Sequence, residues 1–204
     1  MISLFRFGRE LCRAAFWLCF DVSYEGCENI PQREAGYLLV SNHVFDIDPI
    51  LLAMRIRPAI CYLAKAELHR GALGWVFRRL ETIPVERGTG DTHSLDIAAE
   101  QMSRGRLVGI FPEGTRHRDG LPGRPKSGMA LIAKMTGADV LPCAVQYGGG
   151  LHFRSKIVIK YGPLIPHAAL GLEDDSPRAL KRATKKVWGE ILSLLGTEEQ
   201  DDGA

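Results

Sequence analysis

Residues 37–48 read Tyr-Leu-Leu-Val-Ser-Asn-His-Val-Phe-Asp-Ile-Asp, which predicts a buried strand and a short polar loop. The strand is Tyr37–Ser41, a compact apolar run typical of a strand covered on both faces. A helix is predicted over Asp48–Met54, because Pro49 suits a first helical turn. The segment therefore contains a strand, a loop rich in polar groups and a helix in immediate succession.

Strands and helices alternate along the rest of the chain as well. Six further strands are predicted: Val22–Glu28, Ile60–Ala64, Thr82–Val85, Leu107–Phe111, Val140–Tyr147 and Lys156–Tyr161. Helices are predicted over residues 2–20, 71–80, 91–104, 127–136 and 176–195. This alternation indicates an α/β fold, a single-domain αβ sandwich with a mixed, largely parallel sheet. We expect an N-terminal amphipathic helix over residues 1–21, one domain over 22–196 and a frayed tail over 197–204.

The composition excludes several classes of protein. Of the 204 residues, 46% are hydrophobic and 25% are charged, so the chain is neither disordered nor a coiled coil. The formal net charge is +2, and we expect no nucleic-acid partner. No CxxC pair, HExxH, GxSxG or glycine-rich nucleotide motif occurs, so neither a zinc site nor a nucleotide fold is indicated.

Three predicted strands are followed by polar or charged loops. Residues 42–48 follow the first, residues 112–116 follow Leu107–Phe111, and residues 86–88 follow Thr82–Val85. Reactive groups in open α/β sheets gather beyond the carboxyl ends of strands. If these strands are parallel neighbours, the three loops meet in one crevice.

His43 is the candidate general base, because an imidazole can take a proton from an alcohol near neutral pH. Such a base needs an acceptor that orients its other ring nitrogen. Asp48 can supply it across the strand-to-helix turn, and Asp46 is the rival. The spacing of His43 and Asp48 also arises by chance, so a surface histidine at a helix start is the alternative interpretation.

Residues 111–116 read Phe-Pro-Glu-Gly-Thr-Arg and indicate an anion site. Gly114 permits close backbone approach or a positive φ, and Arg116 can hold a phosphate through a two-point fork. From Arg104 to Lys126 there are six Lys or Arg residues and two acidic residues. The alternative is a local salt bridge between Glu113 and Arg116.

Together these segments resemble the four sequence blocks of the glycerolipid acyltransferase family (PlsC-like, 1-acylglycerol-3-phosphate O-acyltransferase). Residues 41–48 resemble its NHx4D motif, which runs from Asn42 to Asp48, and residues 74–88, ending in Ile-Pro-Val-Glu-Arg-Gly, resemble the second block. Residues 111–116 match the third block and residues 140–145 the fourth. The blocks occur in the family's order over roughly residues 24–162.

The resemblance implies transfer of a fatty acyl group from acyl carrier protein or coenzyme A to the sn-2 hydroxyl of lysophosphatidate. It implies no metal, no cofactor besides the thioester and no covalent acyl-enzyme. By resemblance His43 is the base and Asp48 orients it, while the backbone N–H of Gly114 or a neighbour meets the oxyanion. The implied substrate-binding residues are Arg87, Glu113, Gly114, Thr115, Arg116 and Lys126.

Two departures from the family pattern bear on the acceptor. Phe45 stands where a small polar residue is common, which predicts a different acceptor pocket. Residues 124–128 read Arg-Pro-Lys-Ser-Gly rather than containing Phe-Lys-Lys-Gly. Two other functions therefore stay open: acyl transfer to another lysophospholipid or an amino-acid lipid, and lipid binding without turnover.

Residues 1–20 are the candidate membrane contact. Their longest uncharged run, residues 14–20, is seven residues long, against the roughly 18–20 that a spanning helix needs. Arginines oppose leucines in the first half, and aromatic residues fill the second, a pattern typical of an interfacial helix. We expect peripheral association with the cytoplasmic face of the cell membrane. The alternatives are that this helix packs on the domain's own core, or that helix 176–195 provides the contact.

Overall fold

The computed structural model describes residues 16–33, 36–65, 82–85, 93–174 and 176–197. These residues contain four helices: α1 (Asp48–Ala53), α2 (His93–Ser103), α3 (Gly128–Thr136) and α4 (Pro177–Leu195). Residues 16–19 form a further helical turn, and Cys27–Asn29 and His167–Leu170 are 3₁₀ helices. The strands are β1 (Asp21–Glu25), β2 (Tyr37–Ser41), β3 (Ile60–Lys65), β4 (Ile83–Val85), β5 (Leu107–Ile110), β6 (Asp139–Gly148) and β7 (Lys156–Tyr161).

The strands of the described residues form one seven-stranded sheet in the order β1-β7-β6-β2-β5-β3-β4. Only the β6–β7 pair is antiparallel within it, and every other neighbouring pair is parallel. The predicted mixed, largely parallel sheet is therefore confirmed. Strands β2 to β6 all end at one edge, where β1 and β7 begin; we call it the carboxyl edge.

The core lies on both faces of the sheet, as the predicted αβ sandwich requires. Successive side chains of a strand point to opposite faces. In β2, Leu38 and Val40 join a buried cluster with α2, α3 and α4, whereas Tyr37 and Leu39 join a second cluster with α1. All of β2 is buried, which explains why its sequence is uniformly apolar.

The last helix packs on the sheet through the stripe that its sequence predicts. Ala183, Val187 and Ile191 are buried against the first cluster, and Leu180 packs beside them. The basic side chains of the helix are exposed: Arg178, Lys181, Arg182, Lys185 and Lys186. The apolar face of α4 is thus occupied by the core, and the face that α4 presents to its surroundings is basic.

Strand β1 ends earlier than its sequence predicts, at Glu25 instead of Glu28. Gly26 has φ +69°, and a Cβ there would lie 2.1 Å from the Tyr161 carbonyl oxygen. The chain turns at this close approach and continues as a 3₁₀ helix. Of the predicted N-terminal helix, residues 16–19 are helical, and residues 1–15 lie outside the described residues. The predicted helix 71–80 and the tail beyond Thr197 also lie outside them.

Candidate active site

Two of the three polar loops meet at the carboxyl edge. Strand β2 lies between β5 and β6 and is parallel to both, so the loops after β2 and β5 leave the sheet side by side. Backbone hydrogen bonds join them: the His117 N–H donates to the His43 carbonyl oxygen at 2.8 Å. Strand β4 ends at the same edge, but residues 86–88, including Arg87, lie outside the described residues.

Asn42 fixes the start of the first loop. Its side-chain amide donates to the Val145 carbonyl oxygen at 3.0 Å, and its Oδ1 accepts the Val145 N–H at 2.8 Å. The carboxamide thus imitates a strand partner for β6 just beyond the end of β2. These two hydrogen bonds fix the backbone position from which the His43 side chain extends.

His43 and Asp48 form a hydrogen-bonded pair. His43 Nδ1 lies 2.8 Å from Asp48 Oδ2, and the Asp48 side chain is fully buried while that of His43 is 16% exposed. The same oxygen accepts the backbone N–H groups of Val44 at 2.7 Å and Phe45 at 2.9 Å. An ionised carboxylate only accepts hydrogen bonds, so the Nδ1 of the imidazole carries a proton and Nε2 is left as a base.

An aromatic wall holds the imidazole from the side. The Phe111 ring stacks on His43 with centroids 4.1 Å apart, and Tyr62 stacks on Phe111 at 5.6 Å. The His43 and Phe111 rings follow the ends of β2 and β5, and the Tyr62 ring comes from within β3. The stack restricts rotation of the His43 ring, which its hydrogen bond alone would permit.

Glu113 joins the two loops through its buried carboxylate. Oε2 accepts the backbone N–H of His43 at 2.6 Å, and Oε1 accepts that of Gly123 at 2.7 Å. Burial raises the pKa of the Glu113 carboxyl, and the hydrogen bonds from Gly123 and His43 offset this only in part. The alternative of a salt bridge from Glu113 to Arg116 is wrong, because both carboxylate oxygens serve backbone groups.

Asp46, the rival to Asp48, instead pairs with Arg116. Arg118 lies 3.7 Å from the other Asp46 carboxylate oxygen. The three side chains are exposed. Arg116, which was expected to hold an anion, is therefore paired with an acidic residue at the surface. An exposed ion pair of this kind is weak, at about 0–1 kcal/mol.

Gly114, Thr115 and Lys126 lie in the same loop region. Gly114 has φ +68°, and a Cβ there would stand 3.3 Å from Lys126 Nζ, so the ammonium group lies over the glycine. Thr115 and Lys126 are exposed. The Gly114 N–H, expected near an oxyanion, donates to the Phe111 carbonyl oxygen at 3.0 Å instead. The Gly114 N–H is therefore engaged within its own loop.

Sequence reasoning missed Tyr147, whose hydroxyl donates to Asp48 Oδ1 at 2.6 Å. It also missed the two hydrogen bonds of the Asn42 carboxamide and the stacking of Phe111 on His43. The signal for Tyr147 was its place at the carboxyl end of β6, next to β2. That signal becomes usable only when the order of the strands is known.

The comparisons with known proteins agree with this geometry. A sequence model described as Acyltransferase matches residues 21–146. The 1-acyl-sn-glycerol-3-phosphate acyltransferase of Bacillus subtilis is 33% identical over 145 residues, covering 70% of this chain and 71% of that one. The lyso-ornithine lipid O-acyltransferase of Pseudomonas aeruginosa is 36% identical over 142 residues, covering 68% of this chain and 51% of that one.

One solved structure is similar over most of the chain. The crystal structure of the 1-acyl-sn-glycerophosphate (LPA) acyltransferase, PlsC, from Thermotoga maritima matches with a TM-score of 0.68 and 27% identity. The match covers 92% of this chain and 78% of the other. The similarity in fold, the similarity in sequence and the His43–Asp48 pair thus all indicate the same family.

Proposed function

The chain belongs to the acyltransferase family, and we propose that it transfers a fatty acyl group from an acyl thioester to the sn-2 hydroxyl of lysophosphatidate. The donor is an acyl group on acyl carrier protein or coenzyme A, and the product is phosphatidate for phospholipid synthesis. The observation that carries the proposal is the hydrogen bond between His43 Nδ1 and the buried Asp48 carboxylate. It leaves His43 Nε2 available as a general base.

The proposed reaction is a direct transfer in two steps. As the acceptor oxygen attacks the thioester carbonyl, its proton passes to His43 Nε2, and a tetrahedral oxyanion forms. The C–S bond then breaks, and the leaving thiolate takes the proton from the imidazolium. Asp48 stabilises the imidazolium between the two steps, as a buried carboxylate does in other base–carboxylate pairs. No metal and no further cofactor is needed for these two steps.

The acceptor phosphate is proposed to bind three cationic side chains: Arg87, Arg116 and Lys126. Arg116 is exposed beside the His43 loop, and Lys126 Nζ lies over Gly114. Because the Asp46–Arg116 pair is exposed, a phosphate dianion can displace Asp46 from Arg116 at little free-energy cost. Arg87 completes the proposed set, with Glu113, Gly114 and Thr115 shaping the loop.

A membrane-facing surface is proposed at the carboxyl edge, where a bilayer-embedded acceptor must enter. Trp17 is 76% exposed and Phe153 72% exposed, and Leu18 and Leu151 are also exposed. The Arg154 N–H donates to the Cys19 carbonyl oxygen at 2.7 Å, which joins the two segments that carry these side chains. Both segments precede strands that begin at the carboxyl edge. Exposed aromatic and aliphatic side chains beside arginine are typical of interfacial binding.

We propose that the protein associates peripherally with the cytoplasmic face of the cell membrane through this surface. Within the described residues, the structure contains no helix with the length and hydropathy of a membrane span. We name the surface formed by Trp17, Leu18, Leu151 and Phe153 the apolar rim.

A second acceptor class is favoured by one observation. Asp46 places a carboxylate beside Arg116, which repels a phosphate monoester and attracts a cationic amine. A lyso-amino-acid lipid presents such an amine, and one of the relatives is named for an acceptor of this kind. Lysophosphatidate stays the first proposal, because Arg116, Arg118 and Lys126 together outnumber Asp46 in this loop region.

An acceptor panel tests the choice. The purified protein is incubated with acyl coenzyme A or acyl–acyl carrier protein and either lysophosphatidate, another lysophospholipid or a lyso-amino-acid lipid, and thiol release is measured. We expect the highest kcat/KM with lysophosphatidate. A higher value with the amino-acid lipid would replace the first acceptor by the second. Binding of all acceptors without any thiol release would leave a lipid-binding protein.

A further inference from the structure

We propose that Tyr147 is a positioning residue for the His43–Asp48 pair, and that Phe45 holds Tyr147 in place. The inference rests on the proposed function, since it concerns the same base. It adds a hydroxyl from β6 and a phenyl ring from within the NHx4D motif to the groups that fix the carboxylate.

The two oxygens of the Asp48 carboxylate accept hydrogen bonds from different sets of donors. Oδ2 accepts from His43 Nδ1 and from the backbone N–H groups of Val44 and Phe45. Oδ1 accepts from the Tyr147 hydroxyl at 2.6 Å, a short distance that is typical of a bond to an ionised acceptor. With one oxygen fixed by the loop and the other by β6, the carboxylate plane cannot rotate about its Cβ–Cγ bond.

Burial makes this second anchor important. The Asp48 side chain has no exposure to solvent, so water cannot replace a missing donor at Oδ1. A buried carboxylate oxygen without a partner is strongly unfavourable. Loss of the hydroxyl would leave Oδ2 held by its three donors and place more of the carboxylate's negative charge on the side that faces the imidazole.

Phe45 explains how the hydroxyl is aimed. Its ring meets Tyr147 edge to face, with centroids 4.7 Å apart and planes at 78°. The backbone N–H of the same residue bonds Asp48 Oδ2 at 2.9 Å. Phe45 therefore contacts both ends of the Tyr147–Asp48 bond. A small polar residue at position 45 would leave the Tyr147 ring without this support.

Several other ionisable groups surround the pair and must be considered in any pH dependence. From the loop after β5 come Glu113, whose carboxylate accepts the His43 N–H, and His117, whose backbone N–H donates to the His43 carbonyl oxygen. Tyr62 of β3 and Cys143 of β6 lie on the same face of the sheet. Asp46, Arg116 and Arg118 stand at the surface beside the loop. None of these carries a hydroxyl to Asp48 Oδ1, so the Tyr147→Phe change alters one contact.

The test compares Tyr147→Phe with Tyr161→Phe in the full chain. Tyr161 is the matched control, because its buried hydroxyl bonds the Leu52 carbonyl oxygen of the same helix, α1, and does not touch Asp48. For each variant we measure kcat and KM, the pH dependence of kcat/KM, and the NMR titration midpoint of the His43 ring without substrate. The His43 signal is assigned from its absence in His43→Gln.

For Tyr147→Phe we expect kcat to fall roughly ten- to a hundredfold, the range found when a residue orienting a metal-bound histidine is removed. KM should change little. The His43 midpoint and the acidic limb of the pH profile should move upward, because an undivided Asp48 charge favours the imidazolium. Tyr161→Phe should lower the free energy of unfolding and leave the midpoint, pH profile and kcat unchanged.

A folded Tyr147→Phe protein with the wild-type midpoint and kcat would overturn the inference, as would equal effects from the two tyrosine variants. If Tyr147→Phe does not fold, Phe45→Ala decides the question, since it keeps the hydroxyl and removes its support. We then expect an upward midpoint shift of smaller size, and no shift would overturn the proposal. The NMR titration needs no substrate, so it separates this inference from a wrong choice of acceptor.

Discussion

The buried carboxylate of Glu113 accepts the backbone N–H of His43 at 2.6 Å, and through this bond the loop after β5 holds the residue that carries the base. Its other oxygen accepts the Gly123 N–H, so three parts of the chain meet at one side chain. Glu113 belongs to the predicted substrate-binding set, and its contacts in the structure are with backbone groups.

This contact predicts a pH dependence of stability. Burial raises the pKa of the folded-state Glu113 carboxyl above its ordinary value. Such a carboxyl binds its proton more tightly in the folded state, so its stabilising contribution is complete below about pH 4.3 and is lost as the pH rises through the raised folded-state value. Glu113→Gln removes the titration. The free energy of unfolding of the wild type, relative to this variant, should fall as the pH rises above about 4.3.

Denaturant unfolding across this pH range measures the difference. Glu100→Gln is the matched control, because Glu100 is exposed on α2 and pairs with Arg104. This variant keeps Glu113, so its curve should show the same fall with rising pH as that of the wild type. Parallel curves for Glu113→Gln as well would contradict the buried, proton-binding role.

The Asp46–Arg116 pair predicts opposite effects on acceptor binding. Arg116→Ala should raise the apparent KM for lysophosphatidate roughly tenfold or more, since a charge-assisted hydrogen bond contributes about 1.5–3 kcal/mol. Asp46→Asn should lower it, because Arg116 is then free for the phosphate. The control is Arg104→Ala, which breaks another exposed pair, with Glu100 of α2, before the amino end of β5.

Steady-state kinetics with each substrate varied in turn distinguishes the two sites. KM for the acyl donor should stay unchanged in both variants. If Arg116→Ala weakened donor use and left acceptor use intact, the anion site would belong to the phosphopantetheine of the carrier.

The apolar rim predicts where the protein meets a bilayer. Trp17→Ser and Phe153→Ser should each weaken binding to anionic vesicles roughly tenfold or more, because burying a large apolar side chain contributes about 1.5–3 kcal/mol. Met135→Ser is the control, since Met135 is also an exposed apolar residue. It lies near the C-terminal end of α3, away from the carboxyl edge. Vesicle sedimentation measures the bound fraction. Equal binding by the rim variants and the wild type would place the contact elsewhere.

Local patterns in the sequence were sufficient for most of the fold. The apolar runs predicted β2 and β7 to the residue, and the stripe of α4 predicted its buried face, because strand and helix periods are local properties. The end of β1 was wrong by three residues. Its cause is a backbone contact between Gly26 and Tyr161, residues far apart in the chain.

The same distinction between local and distant contacts applies to the candidate site. His43 and Asp48 are five positions apart, and their pairing could be predicted from the turn between β2 and α1. The partner of Asp46 and the Tyr147 hydroxyl depend on which strands are neighbours, so residue types and spacing could not identify them. The role of Arg87 stays a prediction, because that residue lies outside the described part of the chain.

The central claim is that His43, oriented by Asp48, is the base of an acyl transfer without a covalent intermediate. The most direct test measures thiol release from an acyl thioester with lysophosphatidate for the wild type, His43→Ala and Asp48→Asn, with the free energy of unfolding of each. We expect His43→Ala to lower turnover by roughly 10²–10⁴-fold and to remain folded, since the His43 side chain is partly exposed to solvent. Asp48→Asn should lower turnover strongly as well, by losing the charge that stabilises the imidazolium. Near-wild-type turnover in a folded His43→Ala protein would contradict the account.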